Sequence, residues 1–456
     1  MKALSKKKGL SSEKTTCNDL MFNSIKWVSF FLGTFVTMPI VTIPFGGRLI
    51  SVFTLVYFVF IMIIGLMFIK NSIRIKIGRK TKTLLIWFFI ALLSSFFGLL
   101  FFTGKQEWFN ATLSYIPKIV SFMIVLILIS SSKHRLIIIE SFFKGFIFGC
   151  VLNVLWACIE GVVFYTRGYS LNNQIFKEYI KTLPSNRQYI TIVNSGGIRT
   201  PGFNYDPAHL GGIVPILCLY SLMKKKYIYL ALSIIALVFS QSTTGLVSSV
   251  ILIVLHYKKI SIYKFNINYK KLINALLVIS LVVLLVLIPE RNNNLSESLK
   301  RNVEGFSNRV STVYVSSENS NIRMLYHLYV PHAAFYSGIK TITGTGFGTA
   351  SYAYVHDPFL SDKLNRTSKA PYDPESTYIS YLFNTGIFGL LLYIYLLFNI
   401  YLYYNNTWKK DPDLIILATI GGIILSSLFY HYTLTAYQGL SIIMATVYMD
   451  VIKNER

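Results

Sequence analysis

Residues 49–69 run for 21 positions without a charge, and residues 272–289 run for 18 more. A helix needs roughly 20 apolar residues to cross the hydrocarbon core of a bilayer. Runs of this length fix the class of the chain before anything else is read. The composition agrees, with 53% of the 456 residues hydrophobic and only 14% charged. A soluble globular protein of this size carries roughly 25% charged residues. The expected fold class is therefore an all-α polytopic membrane protein, one integral membrane domain over 1–456 with about 12 transmembrane helices.

The formal net charge of +25 could point to nucleic acid. Its distribution argues against that partner, because the basic residues sit in short clusters between apolar runs, where the positive-inside rule puts them. The spans are expected near 25–45, 49–69, 83–102, 111–131, 136–165, 205–223, 226–240, 243–257, 272–289, 376–403, 412–430 and 433–450. The short segments 70–82, 131–135, 224–226, 257–271 and 404–412 then join both termini on the cytoplasmic side. The basic N-terminus leads into an apolar run that ends in "VTIPFGG", with no A-x-A-like cleavage site, so the first span is read as uncleaved. None of the four cysteines (Cys17, Cys150, Cys158, Cys218) falls in a long loop, and no disulfide framework is implied.

Residues 226–257 are flanked by basic clusters on both sides. A hairpin turning at "SQSTTG" (240–245) keeps both clusters on one side, provided protein or water satisfies the turn's backbone. Two long segments remain outside, 166–204 and 290–375. The second, at 86 residues, is expected to form an ordered cover with short helices. Four in-span charges, Lys118, Glu140, Lys144 and Glu160, mostly lie near span ends, where snorkelling suffices.

Four stretches carry the chemistry, in this order. "RTPGFNYDPAHLGG" (199–212) leads into the sixth span, and "SQSTTGL" follows in the hairpin. "NIRMLYHLYVPHAAFYSGIKTITGTGFGTASY" lies in the large outer segment, and "DPESTYISYLFNTGIFGLLLY" opens the tenth span. Together they resemble the O-antigen polymerase and O-antigen ligase superfamily of bacterial envelope enzymes. The resemblance implies a membrane glycosyltransferase of the GT-C type, without cofactor or nucleotide sugar, in the bacterial plasma (inner) membrane. Its donor would be an undecaprenyl-diphosphate-linked oligosaccharide on the outer face. A chain-length regulator and a flippase of the same pathway are the implied protein partners.

Glycosyl transfer needs a base for the acceptor hydroxyl and positive charge for the departing diphosphate. Arginine suits the second task, since its planar fork matches phosphate oxygens and keeps its proton. The resemblance places Arg199 and Arg323 at the two arginines taken to grip the lipid diphosphate. Asp206 precedes Pro207 and reads either as a helix N-cap or as a group orienting Arg199. His209, one turn on, reads as packing or a partner of the site before it reads as a catalyst. Gly344, Gly346 and Gly348 of "GTGFG" let backbone approach another surface and are expected to line a substrate groove.

Ligases of the superfamily carry a His-Asn pair ten to eleven residues before the glycine of "GIxGL"; counting back from Gly386 lands on Glu375 and Ser376. The chain departs from the ligase pattern there. Glu375 reads as the base or as an acid favoured by a helix N-terminus, with Ser376 beside it in the substrate site. The family's hairpin arginine is also absent, with Thr243 in its place, so a further cation would come from elsewhere, Arg48 in the short first outer loop and Arg309 being candidates. Metal catalysis is not expected: the one D-x-D, Asp411 and Asp413, falls on the cytoplasmic side, and His327 and His332 do not share a helix face. The resulting expectation is a polymerase joining lipid-linked repeat units into O-antigen or capsular chains. A ligase or protein O-glycosyltransferase of the same superfamily is one alternative. A lipid-linked glycan flippase, which needs charges deep inside its spans, is the other.

Overall fold

The structure is a computed structural model that describes residues 21–45, 48–70, 77–181, 190–194, 197–262, 327–357, 359–360, 374, 376–431 and 434–455. Among these the chain is mostly helical. A helix over 21–35 (α1) is followed by α2 (Val52–Lys70), α3 (Arg79–Phe101), α4 (Gln106–Ser131) and α5 (Arg135–Arg167). The short α6 (Leu171–Ile175) and α7 (Lys177–Ile180) precede α8 (Pro207–Met223), α9 (Tyr227–Ser240), α10 (Thr243–Leu255) and α11 (Tyr257–Ile262). Next come α12 (Val330–Ser337), α13 (Lys340–Thr343) and α14 (Tyr352–Val355), then α15 (Thr377–Thr407), α16 (Asp411–Phe429) and α17 (Ala436–Glu455). Six helices, α2 to α5, α15 and α16, are long and apolar enough to cross a membrane, while α8, α9, α10 and α17 are shorter apolar helices. The expected ninth span, 272–289, lies outside the described residues.

The first span differs from expectation. Helix α1 ends by residue 35 rather than 45, and the chain turns through 36–41 into an antiparallel hairpin of β1 (Thr42–Phe45) and β2 (Arg48–Ser51). Pro39 and Pro44 have no amide hydrogen to continue a helix. A second hairpin pairs β3 (Ile192–Asn194) with β4 (Gly197–Arg199). Both amend the all-α reading locally, and both lie at helix ends.

Contacts at the helix ends sort the bundle into two faces. On one, Lys224 pairs with Asp411, Lys259 bonds to Asn405, and the amides of Lys80 and Thr81 donate to Asp450. The other carries both β-hairpins, the start of α8, the 240–243 turn and the start of α15. These are the basic face and the loop face below. Asp411 of the D-x-D is thus engaged by a lysine on the basic face.

Helix α8 is the central pillar: apart from Leu222, every residue from Pro207 to Met223 is buried, as expected of a helix that is apolar all round. The α9–α10 hairpin leans on it through glycine. A Cβ on Gly211 would lie 2.0 Å from Ser242 Oγ, and one on Gly245 would lie 2.8 Å from the Gly211 Cα. The hairpin turns at Gln241, which takes the left-handed conformation (φ 48°), and Ser242 caps α10 by accepting from Gly245 N at 3.2 Å. The turn is buried under β4, with Thr200 N donating to Phe239 O at 3.1 Å. Protein thus meets the turn's backbone groups, as the bilayer requires.

Helix α15 is broken. Gly386 sits at φ 73°, ψ 176° inside it, a region open essentially to glycine alone. The break frees the carbonyls of Phe383 and Asn384, and the "GTGFG" turn takes them: Thr345 N donates to Phe383 O at 2.8 Å and Gly346 N to Asn384 O at 3.0 Å. Ser94 of α3 donates to Thr343 O at 2.7 Å. The turn thus enters the bundle between α3, α4 and α15, where non-helical backbone is tolerated because protein surrounds it.

Two in-span charges behave differently from the snorkelling expectation. Glu160 is fully buried, accepting from Ser170 Oγ at 2.6 Å and Asn172 N at 3.1 Å. Lys118 lies well inside α4, its ammonium 5.2 Å from the Tyr115 ring centroid.

Candidate functional site

The stretch 199–212 owes its position to α5. Asn153, buried within that helix, donates to Thr37 O at 2.8 Å and accepts from Phe203 N at 3.0 Å and Asn204 Nδ2 at 2.9 Å. Trp156, one turn on, stacks on Phe203 at 4.8 Å and donates to Asn172 Oδ1 at 2.7 Å. Asn172 in turn donates to Gly202 O at 3.2 Å. Glu160 closes the network by holding the start of α6. A buried polar network pays off only when its members are satisfied, and this one ties α1, α5, α6 and the stretch before α8 into one unit.

On that support, Arg199 ends β4 opposite Ile192, half-buried and beside the α9–α10 turn. Asp206 is the N-cap of α8, its carboxylate accepting from Ala208 N at 2.8 Å, with Pro207 in the first turn. The capping reading of Asp206 therefore has direct geometry. His209 is buried, with its ring 4.3 Å from Tyr205 and edge-on to Tyr430 at 5.1 Å.

Tyr430 links α8 to the start of α15. Its carbonyl accepts from Thr377 Oγ1 at 2.9 Å. Ser376, the N-cap position of α15, is buried with its hydroxyl 3.5 Å from Ser427 O. One turn further, Ser380 Oγ lies 3.3 Å from His431 Nδ1. Tyr381 OH accepts from Leu434 N at 3.2 Å. The start of α8, the start of α15 and the α16–α17 hinge thus converge on the loop face, bringing His209, Ser376 and His431 around one helix-end junction.

His431 is the residue the sequence reading missed. It sits in "YHYTLTAY", the short turn between the last two spans, with no motif spacing to mark it. The available signal was a histidine in a tight turn on the same side as the other candidates.

The three glycines are used for close packing. A Cβ on Gly344 would lie 2.4 Å from Asn384 O, one on Gly346 2.9 Å from Thr112, and one on Gly348 3.0 Å from Tyr115. All three are buried against helices α15, α3 and α4. Arg323, Arg309 and Glu375 lie outside the described residues, as does the side chain of Arg48. Their flanks are placed: His327 Nε2 lies 3.0 Å from Leu428 O, near the end of α16, and Ser376 N donates to Pro374 O at 2.7 Å.

No curated protein matches the chain. A family model described as O-Antigen ligase matches residues 228–394. The matched segment takes in the α9–α10 turn, the "GTGFG" turn and the first half of α15, and it begins after Arg199, Asp206 and His209. Over residues 228–394, the chain is thus similar to the O-antigen ligase and polymerase superfamily of membrane proteins.

Proposed function

We propose that the protein is a polymerase that joins lipid-diphosphate-linked oligosaccharide repeats into O-antigen or capsular chains on the outer face of the bacterial plasma membrane. The observation that carries the reading is the junction on the loop face. There α8 brings Asp206 and His209, α15 brings Ser376 and Ser380, and the α16–α17 hinge brings His431. Arg199 stands on the same face, beside the buried hairpin turn.

In the proposed reaction a base takes the proton of the attacking sugar hydroxyl. The oxygen bonds to the anomeric carbon of the donor, and the bond from that carbon to the phosphate oxygen breaks. The electron pair leaves with the lipid diphosphate, whose charge Arg199 and Arg323 receive. Glu375, directly before Ser376, is the proposed base. Asp206 holds the first turn of α8 and so the position of His209. Gly344, Gly346 and Gly348 seat the turn that braces the broken α15, and so act on the site through that helix.

One observation favours the ligase as a second reading. The superfamily's ligases carry a histidine at the position of Glu375, and here His431 supplies an imidazole to the same helix from another element. Deletion in the producing cell separates the possibilities. A polymerase mutant accumulates single repeats on the outer lipid. A ligase mutant accumulates full-length chains on that lipid, and a flippase mutant traps repeats inside. Full-length lipid-linked chains in the deletion strain would overturn the polymerase reading.

A further inference from the structure

The arm formed by α12 and α13 carries large apolar side chains that nothing among the described residues covers. Phe335 is 90% exposed, Ile339 74% and Ile342 50%. Single exposed apolar residues are ordinary, but a contiguous set marks an interaction surface. The set adjoins the lipid-facing sides of two spans. Lys340 sits over the Phe101 ring at 3.7 Å, next to the exposed Leu100 and Phe97 of α3. The Ile342 carbonyl touches Gly386 of α15, two residues before the exposed Phe388.

Two cations mark the edge of this surface. Lys105, in the α3–α4 turn, and Lys340 both lie over the Phe101 ring, at 5.1 and 3.7 Å, and over the Tyr352 ring, at 4.8 and 5.3 Å. Among the described residues neither lysine is in an ion pair. Asp357, the nearby buried acid, is already engaged by His332 Nδ1 at 3.0 Å and by the amides of Phe359 and Leu360. Glu107 is exposed on the first turn of α4. Burial and Lys105 both push the Lys340 ammonium below its ordinary pKa. Burial, and then the two lysines, press the nearby His356 toward its neutral form. Lys105 also donates to the Tyr352 hydroxyl at 2.9 Å, so the two ammoniums share one patch in which, among the described residues, no carboxylate neutralises them.

We propose that α12–α13 is an interfacial arm that seats in the bilayer on the loop face, and that Lys105 and Lys340 together hold the phosphate of an anionic phospholipid headgroup. The apolar side chains would enter the acyl boundary while the lysines stay at headgroup level, as interfacial segments do. Position favours a lipid over a free anion, because the cations border the lipid-facing band. The arm leads directly into the "GTGFG" turn that braces α15, so a lipid held here would steady that turn. The inference does not depend on the glycan-transfer reading.

The test uses the purified full-length protein. Phosphatidylglycerol and phosphatidylcholine are titrated separately, and retained lipid is counted by native mass spectrometry. Phosphatidylglycerol should be retained preferentially, and Lys105→Gln with Lys340→Gln should weaken it at least about tenfold. Lys105→Arg with Lys340→Arg should keep it, which separates loss of charge from loss of fold. Equal retention of the two lipids, or no effect of the glutamine pair, overturns the proposal. Competition by millimolar inorganic phosphate against phosphatidylglycerol would assign the site to free phosphate and overturn the lipid. In vesicles of phosphatidylcholine and phosphatidylglycerol with brominated acyl chains, Phe335→Trp should add quenching over the parent protein. No added quenching would remove the arm from the bilayer.

Discussion

The base is the sharpest question at the scale of single residues, because two groups compete for the role and can be separated. Glu375→Gln keeps the shape of the side chain but removes the base. If Glu375 is the base, turnover should fall at least about a hundredfold while lipid-linked donor still binds. If it is a helix-end charge, the change should cost no more than about 1 kcal/mol of stability and leave turnover nearly intact. His431→Gln distinguishes the rival: with Glu375 as base, it should lower turnover far less than Glu375→Gln does. The reverse ranking, measured as chain formation on purified variants, would transfer the role to His431. Some of this chemistry was legible in advance. The Asp-Pro pair announced the cap at Asp206, because capping is local. His431 was not legible, since its contact is with Ser380, 51 positions earlier and on a different helix. Glu160 read as a snorkelling end charge because its partners, Ser170 and Asn172, meet it only after the chain folds back over α5.

At the scale of elements, the broken α15 and the turn that braces it form one device. The sequence showed the glycines of "GTGFG" and "NTGIFGL" as separate features, and closeness to a substrate was the natural expectation for the first set. The structure joins them, with amides of one turn filling carbonyls freed by the other. A Cβ at Gly386 would lie 1.9 Å from Ile342 O. Gly386→Ala should therefore destabilise by more than the ~1–3 kcal/mol of backbone strain alone, seen as a lowered thermal midpoint in detergent and reduced chain synthesis. A wild-type midpoint for this variant would show that the break is not fixed as described. The end of α1 near residue 35 was less legible, because an apolar run continues through Val36–Ile40 in composition while Pro39 ends it in geometry.

Across the whole molecule, alternating apolar runs and basic clusters made the class and most of the helices readable, because lipid imposes one rule on every span. Depth and burial were not readable: α8, buried at every position but Leu222, is apolar throughout just as the helices with exposed sides are. The two faces carry a direct prediction. Cysteines introduced at positions 180 and 310 should react with an impermeant maleimide in intact spheroplasts, and one at 265 should not. Outside labelling at 265 would invert the orientation. Polymerisation is tested most directly by the reaction itself. The purified protein, in proteoliposomes with lipid-diphosphate-linked repeat and no other acceptor, should yield a ladder of lipid-linked chains growing by single repeats. One free lipid diphosphate should be released for each bond formed. An unchanged repeat under those conditions, with transfer appearing only when a different acceptor is added, would contradict polymerisation.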